Sequence, residues 1–190
     1  MKKYLLLLLF IPLISFGQKD IKDAIQICTS FSNFESLDKA NETLELILDA
    51  AGLTKNFSLF PCDGIPNAAA FTFNGDRYIF YNEDFMKKIK NEANEISNIF
   101  ILAHEVGHHV NYHTKDFLLA MSGDLKIPAI SEKRKQELEA DEFAGFVMAR
   151  LGYSIIETKE ALKNLRADWR TQDYNDDKYS THPTIFKRLG

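Results

Sequence analysis

Five residues, His104-Glu105-Val106-Gly107-His108, constrain this chain more than anything else in it. They follow the apolar run 96–103 (ISNIFILA), which reads as the first half of a buried helix. Residues four apart on a helix lie on one face, about one turn from each other. Both imidazoles can therefore reach a single metal ion. Glu105 points to the side of that face, near enough to act on a water at the metal without being a ligand. The opposing interpretation is a solvated helix face carrying two unrelated histidines. It fails because ionisable side chains are seldom buried without partners, and the preceding segment is too apolar to be exposed.

This pattern is the one used for zinc-dependent hydrolysis of peptide bonds, with the glutamate as general base. A catalytic zinc needs three protein ligands and one open position. A third histidine six residues after His108, with a glycine between, is ruled out: those positions hold Thr114 and Asn111, and His113 is one residue off. The alternative is a carboxylate on a second helix. Residues 137–146 (ELEADEFAGF) offer Glu137 as ligand. Asp141, four residues on, is then placed to accept the free ring N–H of His104 and fix its tautomer. Leu138, Phe143, Phe146 and Val147 read as the apolar stripe that packs this helix. Ala140, Ala144 and Gly145 are small enough for two helices to approach closely. Glu139 and Glu142 read as the solvated face.

His104-Glu105-x-Gly107-His108 followed by Glu137-x-x-Ala140-Asp141 resembles the gluzincin group that contains HtpX, the CAAX prenyl proteases and the BepA-type proteases, peptidase family M48. Pro66 to Phe71 resembles the family's Asn-Ala strand before the zinc helix, and Arg77 to Asn82 the strand after it. Ser180-Thr181-His182-Pro183 with Arg188 resembles its His-Pro segment. The resemblance runs over residues 55–190 in the right order. It implies an α+β, zincin-like fold, mainly helical, with a small mixed β-sheet beside the zinc helix. It also implies one zinc ion, and His182 as the donor that stabilises the oxyanion. In this class an extended substrate adds as a strand to an exposed sheet edge. The segment 67–71 is the candidate edge, with Asn67, Ala68 and Ala69 as substrate-binding residues. The large membrane-bound members carry several transmembrane helices, and this chain has none beyond its N-terminus.

Residues 1–17 carry Lys2 and Lys3, an apolar run over 5–14 and the small-residue exit Ser15-Phe16-Gly17. They read as a secretory signal peptide cut before Gln18. The run is short for a membrane span, which needs about 20 apolar residues, so a membrane association is expected only through an uncleaved signal segment. The expected location is the periplasm or outside the cell. Residues 18–190 then form one metalloprotease domain, long enough for a real core. The formal charge of the whole chain is −4, and losing the two lysines makes it more acidic; no nucleic-acid partner is expected. The expected partner is a protein or peptide substrate. Cys28 and Cys62 are the only cysteines, and in an oxidising compartment they are candidates for a disulfide.

Along the chain, helices are expected over 20–30, 37–51 (ended by Gly52), from 84 to 90, 95–113, 131–151 (Ser131 as N-cap, Gly152 as stop) and 154–166. Strands are expected over 57–60, 68–73 and 77–81, the last two joined at Asn74-Gly75-Asp76 as a hairpin. Residues 114–130 read as irregular, with the apolar patch 117–121. His109 and His113 are expected at the surface. Two rival readings stay open: a zinc-binding module without protease activity, which leaves Glu105 without a task, and a zinc amidase acting on a non-protein substrate.

Overall fold

The structure, a computed structural model, describes residues 34–63, 65, 67–73, 75–92, 95–116, 130–164, 183 and 185–189. The expected signal peptide, the 20–30 helix, the 117–121 patch and His182 lie outside the described residues.

Helix α1 (Phe34–Ala51) buries Leu44, Ile47 and Leu48. It ends at Gly52, whose φ of 70° takes the left-handed conformation that halts a helix at least cost. Strands β1 (Phe57–Pro61), β2 (Ala68–Phe73) and β3 (Asp76–Tyr81) follow. The β2–β3 hairpin pairs Ala68 with Tyr81 through Phe73 with Asp76, as the Asn74-Gly75 turn signal implies. β1 joins β3 in parallel, and a two-residue strand β4 (Lys115–Asp116) joins β2 in parallel at Phe71 and Thr72. The sheet is therefore mixed, in the order β1-β3-β2-β4.

Helix α2 (Glu83–Glu92) is capped by Asn82, whose Oδ1 accepts the Phe85 N–H at 2.8 Å. Helix α3 (Glu95–Val110) then runs through the middle of the molecule. Ile99, Phe100, Ile101, Leu102, Ala103 and Val106 are all buried, so its apolar run is enclosed on every side, as a helix hydrophobic all round must be. It touches the sheet, α1, α2 and both later helices, α4 (Ile130–Arg150) and α5 (Ile155–Asn164). A short turn, α6 (Ile185–Arg188), closes the described chain. Among the described residues no helix is long and apolar enough to cross a membrane.

Three sequence expectations need correction. α3 stops at Val110 rather than 113, because Tyr112 adopts φ 58° and the His113 N–H bonds back to the His108 carbonyl at 2.8 Å, while Tyr112 N–H reaches the His109 carbonyl. Ser131 lies inside the first turn of α4 rather than capping it. The buried stripe of α4 is Ala140, Asp141, Ala144, Val147 and Met148; Leu138 and Phe146 are exposed and Gly145 faces open space. Cys62 is buried and disulfide-bonded, and Cys28 is the chain's other cysteine.

Candidate metal centre

The centre is built where α3 crosses α4. A β-carbon added at Gly107 would stand 3.1 Å from the Cα and the carbonyl oxygen of Ala140 and 3.1 Å from Cβ of Phe143. Only a glycine facing an alanine lets the two backbones come this close. That contact sets the register. Glu137 lies three residues before Ala140 and Asp141 one after it, so both reach over the histidine face of α3.

The donor atoms converge. His104 Nε2 and His108 Nε2 are 3.1 Å apart, His104 Nε2 is 3.4 Å from Glu137 Oε2, and His108 Nε2 is 3.6 Å from Glu137 Oε1. Ligands about 2.0–2.1 Å from one tetrahedral ion stand roughly 3.3–3.4 Å from each other. The three separations bracket that value. At 3.1 Å the two imidazole nitrogens need a shared proton or a cation between them, and a carboxylate completes a donor set of the zinc type. Among the described residues these three form the cluster whose metal-type donors all lie within 4.8 Å of one another.

Behind the donors runs a fixed chain of hydrogen bonds. His104 Nδ1 is 2.9 Å from Asp141 Oδ1. Arg188 donates to the same carboxylate twice, from Nε to Oδ2 at 2.6 Å and from Nη2 to Oδ1 at 2.7 Å. The carboxylate leaves His104 Nδ1 protonated and turns Nε2 toward the site, the arrangement that orients histidine ligands generally. Two bonds from a planar guanidinium hold Asp141 in one orientation.

The electrostatics match. Burial disfavours a charged His104, but the hydrogen bonds with Asp141 and Glu137 outweigh it and push its pKa up to about 10 from 6.5. Burial, then the charge of His104, push His108 down to about 3. Burial works against ionised Asp141, and the bonds from Arg188 and His104 overcome it and hold the carboxyl below 3.8. The two rings thus share one positive charge, in the place where a cation fits.

A cleft of about 200 Å³ opens beside the donors. α3 contributes Glu105 and His108 to it, the α3 exit contributes His113, α4 contributes Lys133, Gln136 and Glu137, and β2 contributes Ala69, Ala70 and Phe71. Glu105 is buried and faces this space from beside His104. The β4 pairing covers β2 only at Phe71 and Thr72, so among the described residues the preceding stretch of β2 is an edge along the cleft. Of the expected substrate residues, Ala69 lines the cleft, Ala68 is in the core, and the Asn67 carbonyl accepts the Asn82 N–H at 2.6 Å.

Neither His109 nor His113 is at the surface. His109 is 2 % exposed; its Nε2–H donates to the Tyr78 carbonyl at 2.9 Å, and its ring packs edge-on against Phe57 at 5.2 Å. Burial pushes it down to about 4, so it is a neutral tie between α3 and the sheet. His113 pairs with Glu139 at 2.9 Å and stands edge-on to His108 at 5.5 Å. The expectation failed because it assumed that the faces of α3 away from the metal meet solvent, whereas the sheet and α4 cover them. Arg188 is the residue whose task sequence reasoning missed. The family resemblance marks Arg188 but gives it no task, because its acidic partner stands 47 positions away.

A sequence model of peptidase family M48 matches residues 38–130, from α1 through α3 to the start of α4. Glu137, Asp141 and Arg188 lie beyond the matched segment, so their assembly with His104 rests on the geometry alone. No curated protein matches the chain.

Proposed function

The chain belongs to peptidase family M48, and from that premise we propose that it is a zinc-dependent endopeptidase with Glu105 as its general base. The observation that carries this reading is the convergence of His104, His108 and Glu137 at the side of a cleft that also contains Glu105. His104, His108 and Glu137 are the residues that would hold the zinc. Bound there, the ion supplies Lewis-acid polarisation of a water and of the scissile carbonyl.

The chain's own residues do the rest. The β2 edge lines up an extended peptide by backbone hydrogen bonds, with Ala69 and Ala70 small enough to leave room for it. Glu105 accepts a proton from the attacking water and returns it to the leaving amine. Asp141 and Arg188 keep His104 from turning. His182, assigned through the family resemblance, donates to the developing oxyanion; the anchoring of Arg188 on Asp141, six residues further on, supports a return of the C-terminal segment to the centre. The basic and apolar start of the chain supports export, with action in the cell envelope or outside it.

Glu105→Gln tests the reading. It removes the base and no ligand, so metal analysis should find about one zinc per chain while casein cleavage falls at least about a hundredfold. Cleavage within tenfold of the wild type would exclude Glu105 as the base. Digestion of peptidoglycan but not casein, abolished by a chelator, would move the reading to the amidase.

A further inference from the structure

Resting on the peptidase reading, we propose that Lys133 makes the cleft selective for a substrate carboxylate within about two residues of the scissile bond, supplied by an acidic side chain or by the free C-terminus of the peptide. Lys133 lines the same cleft as Glu105 and Glu137. It lies four residues before Glu137 on α4, one helical turn or about 6 Å along the axis. An extended peptide advances about 3.3 Å per residue, so that separation corresponds to about two residues of bound chain.

The ordinary role of a helical lysine is to pair with a carboxylate three or four positions away. That role is closed here. Position 136 is Gln136, and Glu137 faces the two histidines at 3.4 and 3.6 Å. Glu139 is taken by His113 at 2.9 Å and by Lys135 at 3.5 Å. Among the described residues no carboxylate is hydrogen-bonded or ion-paired to Lys133. Its position is also costly for the helix. Lys133, Arg134 and Lys135 follow Glu132 in the first two turns of α4, and Lys133 still falls in the first turn, where the macrodipole favours anions and disfavours cations. A local choice that opposes the helix is the kind found at functional positions. The same positive helix end reinforces the attraction of Lys133 for an anion. The facing wall, Ala69 and Ala70, has no charge of its own and leaves space for the incoming group.

The test uses the zinc-loaded full chain. Quenched peptides carry Glu, Gln or Lys singly at each of three positions on either side of a mapped cleavage point, each with a free or an amidated C-terminus. A charge-assisted contact of this kind is worth about tenfold, so kcat/KM should favour Glu over Gln about tenfold at one position, or the free over the amidated terminus; which arm responds identifies the source of the carboxylate. Lys133→Gln should bring that ratio to within about twofold of one, and Lys133→Glu should make the Lys peptide the better substrate. Anisotropy of labelled Glu and Gln peptides on Glu105→Gln protein, with and without Lys133→Gln, reads the same preference without turnover. Charge preference that is absent, or unchanged in Lys133→Gln, overturns the proposal. If no peptide is cleaved but Lys133-dependent binding of the carboxylate is present, the peptidase reading fails and the carboxylate site stands.

Discussion

Replacing Arg188 with methionine keeps most of the side-chain volume and removes the charge. The guanidinium makes two short bonds to Asp141, which is itself only 8 % exposed. After the substitution, a buried carboxylate remains with His104 Nδ1 as its partner among the bonds described. Breaking a buried ion pair on one side costs about 3–5 kcal/mol. The surviving histidine bond puts this case at the lower end, about 3 kcal/mol. For a chain of this size each kcal/mol moves Tm by about 2–4 °C, so the metal-free variant should melt about 6–12 °C below the metal-free wild type. Zinc affinity should fall about tenfold, the lower end for loss of a group that orients a ligand, since His104 keeps its carboxylate but that carboxylate can now rotate.

The sign of the pH dependence separates this from a simple packing loss. Asp141 is depressed in the folded state, below 3.8. The stability it contributes is therefore complete above that value and is lost as pH falls through the folded-state pKa. The gap between wild type and Arg188→Met should be full at pH 7 and shrink below pH 3.8, as the protonated carboxyl no longer needs the cation. Thermal scans from pH 3 to 8 and a zinc competition titration measure both effects. A variant that melts within a degree of the wild type and binds zinc within twofold of it would refute the account of Arg188 as the anchor of His104. A gap in Tm independent of pH would show that only packing was lost.

Gly107→Ala should separate α3 from α4, because the new methyl meets Ala140 backbone at 3.1 Å, which cannot turn aside as a side chain can; a loss of about 1–3 kcal/mol in denaturant unfolding is expected, together with weaker zinc binding, and normal values for both would show the crossing to be looser than described. Zinc binding at pH 7.5 should release about one proton per ion, because the metal-free pair holds one positive charge, with His104 raised to about 10; calorimetry in buffers of different ionisation enthalpy counts it. Since His104 is raised above its ordinary 6.5, its proton stabilises the metal-free fold fully below that pH and progressively less up to about 10, so zinc affinity should rise through the same window, and a flat affinity from pH 6.5 to 9 would contradict the assignment.

What the sequence made legible was what it encodes locally. The two histidines of α3 are one turn apart, so helix geometry alone puts them together. The β2–β3 hairpin is written in its turn residues and in the alternation around them. Glu137 and Asp141 were legible because a catalytic metal needs a third donor and an orienting partner, and the small residues beside them mark a close crossing. The stripe of α4 was harder to read because what it buries is largely small or polar: Ala140, Asp141 and Ala144 give little hydrophobic contrast. The large residues Leu138 and Phe146, which a hydrophobicity pattern weighs most, fall on the exposed side.

The histidines show the same limit from the other direction. Four of them stand at 104, 108, 109 and 113, and their chemistry is set by neighbours far along the chain. Asp141 raises the affinity of His104 for a proton, and burial together with the charge so held lowers that of His108. Burial keeps His109 neutral, and a backbone carbonyl on β3 fixes its Nε2 as the donor. His113 lies beside His108 because Tyr112 accepts a left-handed backbone, φ 58°, where glycine is the usual residue. That conformation costs about 1–2 kcal/mol for a residue with a Cβ. It persists because the return bond from His113 N–H to the His108 carbonyl closes the helix end and holds the His113 ring against the cleft wall. The centre is thus made by one close helix crossing, at Gly107 and Ala140, and by one strained helix exit, at Tyr112. The crossing gathers the donor atoms, and the exit shapes one wall of the cleft.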